Sequence, residues 1–170
     1  ARRPRQAEED GRGLAHVGQG AEAGLVSNEL ESVFPHLTPF NHSITSPVSP
    51  DYNCIAWAAG DTERWWWPLA GSFAYWPPNI PLQETLDAFI KAFGSIGFTP
   101  CGNAIIEQGY EKVALYVDEN GKPTHAARQL PNGRWTSKLG KIQDIEHELD
   151  GLTGAVYGVV AQVLKRPIDE

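Results

Sequence analysis

Cys54 and His125 are the two side chains whose types and settings suit nucleophilic chemistry. Cys54 lies in Asp51-Tyr52-Asn53-Cys54-Ile55-Ala56-Trp57-Ala58-Ala59-Gly60, which reads as a capped helix start followed by small and apolar residues. Asp51, after Pro50, is the expected N-cap and puts Cys54 at the third helical position. A thiol on the first turn of a helix sits at the positive end of the macrodipole, which favours the thiolate. His125 heads the strand-like run Thr124-His125-Ala126-Ala127-Arg128-Gln129-Leu130. A histidine entering from a separate strand can take the thiol proton and later deliver it to a leaving group.

Such a pair needs a third group to hold the imidazole. If Asn132-Gly133 is a two-residue turn, position 128 faces 137 and 125 faces 140. Thr136 and Lys138 then share His125's face, and Ser137 takes the other. None of these orients an imidazole well, so Asp144 is the preferred third residue and His147 the rival base. The backbone N–H of Cys54 is the natural first oxyanion donor, with the Asn53 side chain as a second. Asn53, Trp57, Trp66 and Trp76 are the candidates for substrate contact.

Each of these residues also has a plainer reading. Cys54 beside Ile55 and Trp57 fits a small buried hydrophobe. Asp144 fits a solvated carboxylate at a helix start. Trp65, Trp66, Trp67 and Trp76 fit a lid over the core, or an aromatic-walled cleft beside the thiol. Cys54, His125, His147 and Asp144 could be assembled into a zinc site, but no CxxC or HExxH pair anchors one, so no metal or other cofactor is assigned. Cys101 reads as a structural loop cysteine. Two cysteines in 170 residues make no disulfide framework, so both are expected as free thiols.

Composition narrows the function classes. At 41% apolar residues the chain can build one real core. With a net charge of −7 and basic residues grouped only at Arg2, Arg3 and Arg5, nucleic acid is not an expected partner. No apolar run approaches the roughly 20 residues needed to span a bilayer, and no signal peptide is visible. These features suggest no membrane partner and a location that is cytoplasmic or reached by a non-classical export route. Methionine is absent even at position 1, as expected of a processed product or a domain cut from something longer.

Residues 1–26, rich in Gly, Ala, Glu and Arg, read as a linker, and 27–170 as a single domain. Helices are expected at 28–34, from Cys54, at 81–95 and at 142–152, where Ile142, Ile145, Leu149 and Leu152 recur at helical spacing. Strands are expected at 112–118, 124–130, 134–138 and 155–164. Helices first and an antiparallel sheet second is the α+β pattern.

With Cys54 on a helix and His125 on a strand, the chain resembles the papain-like cysteine hydrolases, and within these the small bacterial NlpC and CHAP branches. The resemblance covers roughly residues 50–165. It rests on element order and two residues, because Asn53-Cys54-Ile55-Ala56 stands where NlpC proteins carry an Asp-Cys-Ser-Gly-type motif. It implies a papain-like fold and a thiol amidase or peptidase acting on a peptide or amide-containing substrate. A toxin or effector role would add an inhibitory partner protein. The other function class is a non-catalytic binding or structural domain with a Trp-rich surface and a buried Cys54.

Overall fold

The structure, a computed structural model, describes residues 27–168; the linker expected at 1–26 lies outside them. Helix α1 spans Ser27–Val33, and a short strand β1 follows at His42–Ile44. The two helices behind the candidate site are α2, Cys54–Ala59, and α3, Leu86–Gly94. The strands after them are β2 Thr99–Cys101, β3 Tyr110–Val117, β4 Pro123–Gln129, β5 Trp135–Lys138 and β6 Asp144–His147. A 3-10 turn at Leu149–Leu152 leads to β7, Val159–Pro167. The strands form one seven-stranded sheet in the order β1-β6-β5-β4-β3-β7-β2, and every pairing in it is antiparallel. The α+β class expected from the sequence holds.

Side chains alternate across this sheet and feed two cores. Along β3, Val113 and Leu115 join a cluster with Cys54, Ile55, Trp66, Trp76, Phe89 and Phe93 from the α2 and α3 side. Ala114 and Tyr116 join the opposite cluster, with Leu30 of α1, with Phe34 just after it, and with Trp135, Ile145 and Tyr157. Both faces are therefore covered, which explains why β4 and β5 are buried along most of their length. Helix α3 starts later than its apolar spacing predicts, because Thr85 caps it by accepting from the Ala88 N–H at 3.1 Å. Among the described residues no helix is long and apolar enough to cross a membrane.

Two expectations are corrected. The segment 142–152 is not a helix: it forms β6 and the 3-10 turn, and β6 pairs with β1 through His42–His147, Ser43–Glu146 and Ile44–Ile145. Partner residues about 100 positions upstream outweigh the local 3,4 spacing, a tertiary override of pattern. The hairpin between β4 and β5 also differs by one residue from a two-residue turn. Arg128 faces Thr136 and Gln129 faces Trp135. The loop has three residues: the Gly133 N–H donates to the Leu130 carbonyl at 2.9 Å, and Gly133 takes φ +88. That is a tight turn followed by a left-handed bulge residue. A one-residue slip moves every side chain to the other face. Ser137 thus shares His125's side of the sheet, and Thr136 and Lys138 share that of Cys54.

A close approach occurs before β7. Gly154 and Gly158 bridge each other, and at Gly158 (φ +82) a Cβ would lie 1.9 Å from the Val117 carbonyl oxygen of β3.

Candidate functional site

Helix α2 begins at Cys54 itself, and its cap is Asn53, not Asp51. Asn53 Oδ1 accepts from the N–H of Ala56 (3.0 Å) and of Trp66 (3.1 Å), while its Nδ2 donates to the Trp66 carbonyl at 2.7 Å. Both ends of the amide are occupied in tying the helix start to the tryptophan segment. Asn53 is a buried cap, so the expected oxyanion role is corrected.

Cys54 is 8% exposed and packs in the core on the α2 face. Its thiol is pushed up to about 11, because burial outweighs the Ala126 N–H of β4, the Lys138 charge and the N–H groups of Ile55 and Cys54. The helix-start effect foreseen from the sequence is present but loses to desolvation. At pH 7 only about one thiol in 10,000 would be ionised. Cys54 and Cys101 are both free thiols.

His125 points to the opposite side of the sheet. Its ring stacks on Tyr157 at 4.0 Å between centroids and meets Tyr116 edge-on at 5.1 Å. The structure does not bring Cys54 and His125 together, which corrects the expected nucleophile and base pair. Instead His125 Nε2 lies 2.9 Å from Ser137 Oγ, and Ser137 Oγ lies 2.7 Å from His147 Nε2. His147 Nδ1 is 2.6 Å from the Glu148 carbonyl, which can only accept, so that nitrogen carries the proton. The chain then runs one way: His125 Nε2–H donates to Ser137, and Ser137 O–H donates to His147 Nε2. This leaves His125 Nδ1 as a bare acceptor, and it is buried without a partner. Both rings are kept neutral. Burial and then the neighbouring His147 hold His125 well below its ordinary value, and burial above all holds His147 at about 4.

That chain carries an acid-stability prediction. The unfolded chain protonates His147 near pH 6.5, whereas the folded chain resists until about 4. Stability should therefore fall as pH drops below 6.5. The loss from His147 alone between pH 7 and pH 5 is about 2 kcal/mol. Urea titrations followed by tryptophan fluorescence at the two pH values measure it, and equal midpoints would contradict the neutral chain.

Asp144 is on the Cys54 face, not beside His125, so its expected orienting role is also corrected. Its two oxygens accept from the Tyr52 hydroxyl at 3.4 and 3.3 Å, and burial raises its carboxyl above the ordinary range despite Lys138 nearby. Tyr52 is pushed up to about 12 by burial first and then by Asp144. Lys138 is fully buried. Its Nζ donates to the carbonyls of Ser49 (2.6 Å) and Gly140 (2.7 Å) and lies 4.8 Å from the Tyr52 ring centre. Burial lowers Lys138 to about 7, against the opposing pull of Asp144 and Cys54. Cys54, Lys138, Asp144 and Tyr52 thus form one buried polar cluster, and His125, Ser137 and His147 form another across the sheet. The four residues of the zinc alternative are split between them, and among the described residues no three metal-ligating side chains converge.

The remaining candidates, Trp57, Trp66 and Trp76, all make packing contacts. Trp57 donates to Thr136 Oγ1 at 3.1 Å and lies under the Arg128 guanidinium at 4.5 Å. Trp66 stacks near Tyr75 and Phe93, and Trp76 packs on Phe89 while donating to the Pro81 carbonyl at 3.0 Å.

A groove of about 750 Å³ opens elsewhere, between Asp51, the 63–65 segment, the 72–75 segment and Lys141. Its wall is built by two extended pieces of chain: the Tyr75 N–H donates to the Trp65 carbonyl at 2.7 Å, and the Trp67 N–H to the Tyr75 carbonyl at 3.0 Å. Alternation sends Trp66 into the core and leaves the half-buried Trp65 on the groove. Arg64 lies flat on Tyr75 at 3.7 Å, and Asp61 fixes its Nε at 2.8 Å. Asp61 also accepts from Trp66 Nε1 at 2.8 Å. Lys138, Tyr52, Ser137 and, apart from Trp65, the residues of this wall were not singled out as functional from the sequence. A three-residue loop and the pairing of Tyr75 with Trp65 were the signals that would have found them.

The described residues therefore define an α+β domain with one antiparallel sheet, a buried thiol and a separate aromatic groove. Residues 43–165 match a family described as a domain of unknown function (DUF7689), and the chain belongs to that family. No curated protein and no solved structure gives a significant match.

Proposed function

We propose that the domain acts by binding a ligand in the aromatic groove, with Cys54 serving as a buried structural thiol. The observation that carries this reading is the separation of the two: Cys54 is sealed in the core, and the groove is lined by other residues. Its volume is within the roughly 300–1,000 Å³ typical of small-ligand sites. Competitive alkylation tests it. Iodoacetamide near neutral pH should label the half-buried Cys101 well before Cys54, and Cys54→Ala should lower stability by about 1 kcal/mol through lost packing. Faster labelling of Cys54 than of Cys101 would overturn the structural assignment.

One observation favours a second reading, a papain-like thiol amidase or peptidase with Cys54 as nucleophile. Cys54 starts a capped helix on the same sheet face as Lys138 and Asp144, and an amine near 7 can exchange a proton at neutral pH. In that reading Lys138 takes the place of His125 as base. The peptide or amide substrate, the toxin or effector role and the inhibitory partner all belong to it. Preferential labelling of Cys54, together with hydrolysis of a peptide substrate that Cys54→Ala abolishes, is the result it requires.

A further inference from the structure

The geometry points to a neutral oligosaccharide as the ligand of the groove between residues 50–51, 63–65, 72–75 and 141. This inference rests on the binding reading and names its ligand class. Two kinds of surface meet there. Trp65 and Phe73 supply aromatic faces, and Phe73 is 72% exposed on a loop where burial cannot explain it. Asp51 and Glu63 supply carboxylates that accept no hydrogen bond from the described residues, while the Arg64 side chain is held rigid by Tyr75 and Asp61.

A sugar ring matches both surfaces at once. Its C–H face stacks on an aromatic ring, and its hydroxyls donate to carboxylates and accept from a guanidinium. An anionic ligand would meet Asp51 and Glu63, and a cationic one would meet the Arg64 guanidinium. A proline-rich peptide stacks on aromatic residues too, but its backbone offers few donors to two carboxylates. Because Asp61 and Tyr75 already hold Arg64, binding orders that side chain less than it would a free one.

The experiment is calorimetric titration of the whole chain with cellotetraose, chitotetraose and maltotetraose. A proline-rich peptide carrying one arginine is titrated in parallel. At least one tetrasaccharide should bind saturably below about 10 mM, with affinity unchanged in about 0.5 M NaCl because the ligand is neutral. Phe73→Ala should weaken it roughly tenfold, and Glu63→Gln should weaken it as well. Phe40→Ala, 96% exposed and outside the groove, should leave it unchanged. Phe73 is exposed enough that its removal should not disturb folding, and the thermal midpoint of that variant checks this. If the peptide binds in a Phe73-dependent way and no sugar does, the saccharide assignment falls and the binding reading stands. Binding that survives Phe73→Ala, or that fades with salt, also overturns the saccharide assignment. If neither sugar nor peptide binds, the saccharide assignment falls, and the binding reading is decided by the competitive alkylation test.

Discussion

Gly158→Ala is expected to destabilise the domain by about 3–5 kcal/mol, a large share of the roughly 5–15 kcal/mol that holds a domain of this kind together. Two penalties add. The new methyl carbon would lie 1.9 Å from the Val117 carbonyl oxygen, so the backbone of β3 or of the turn has to move. Position 158 also sits at φ +82, which disfavours any residue with a Cβ. Gly121→Ala separates the two terms, because Gly121 has nearly the same φ, +81, and open space around it. That variant should lose only about 1 kcal/mol. Urea midpoints of both variants measure the difference, and similar losses would mean that the clash at 158 is absorbed.

The second large effect concerns Lys138 and appears as a change with pH. The lysine is lowered from 10.5 to about 7, so at pH 7 the unfolded chain binds a proton that the folded chain half lacks. Between pH 7 and 9 the unfolded chain stays charged while the folded amine is already neutral, and the free-energy cost of burying that neutral amine shrinks as pH approaches 10.5. Wild-type stability should therefore rise by about 2 kcal/mol across that window. From about pH 8 the unfolded chain begins to ionise Cys54, whose ordinary value is 9.0 and whose folded thiol holds its proton to about 11. That opposes further gain, and Tyr52, raised to about 12, adds to the opposition above pH 10. Lys138→Met keeps the volume, removes the titration and leaves the Ser49 and Gly140 carbonyls without their donor. Its stability should be flat from pH 7 to 9, so it loses about 2 kcal/mol relative to wild type over that range. A variant that keeps the wild-type slope would show that Lys138 is not the titrating group.

The central strands were legible because they combine β-branched or aromatic residues with turn signals at Glu119-Asn120-Gly121 and Pro131-Asn132-Gly133. The start of α1 and the existence of α2 and α3 were legible for the corresponding helical reasons. β6 was not, since Ile142, Ile145 and Leu149 fit a helix and only the distant β1 makes that stretch a strand. The candidate site was misread through one residue of loop length. With a two-residue turn Lys138 would share His125's face; with three residues it stands with Cys54 and Asp144, and Ser137 links His125 to His147 instead. Residue types alone do not carry that parity. The separation of Cys54 from His125 follows likewise from which way β4 faces, a property of the packed sheet and not of either residue.

The outer strands of the sheet, β1 and β2, are three residues each, and β2 carries Pro100 at its centre. An open strand edge is a template on which other chains can pair, and long flat edges drive assembly into fibres. Here β2 pairs with only Val163, Leu164 and Lys165 of the nine-residue β7, and it is itself a stub with one backbone donor missing. At the other end, the pairing of β1 runs one bond further, from the Thr45 N–H to the Asp144 carbonyl, before Ser46 and Pro47. The two flanking strands thus offer few backbone positions to another chain, and lengthening either one would offer more.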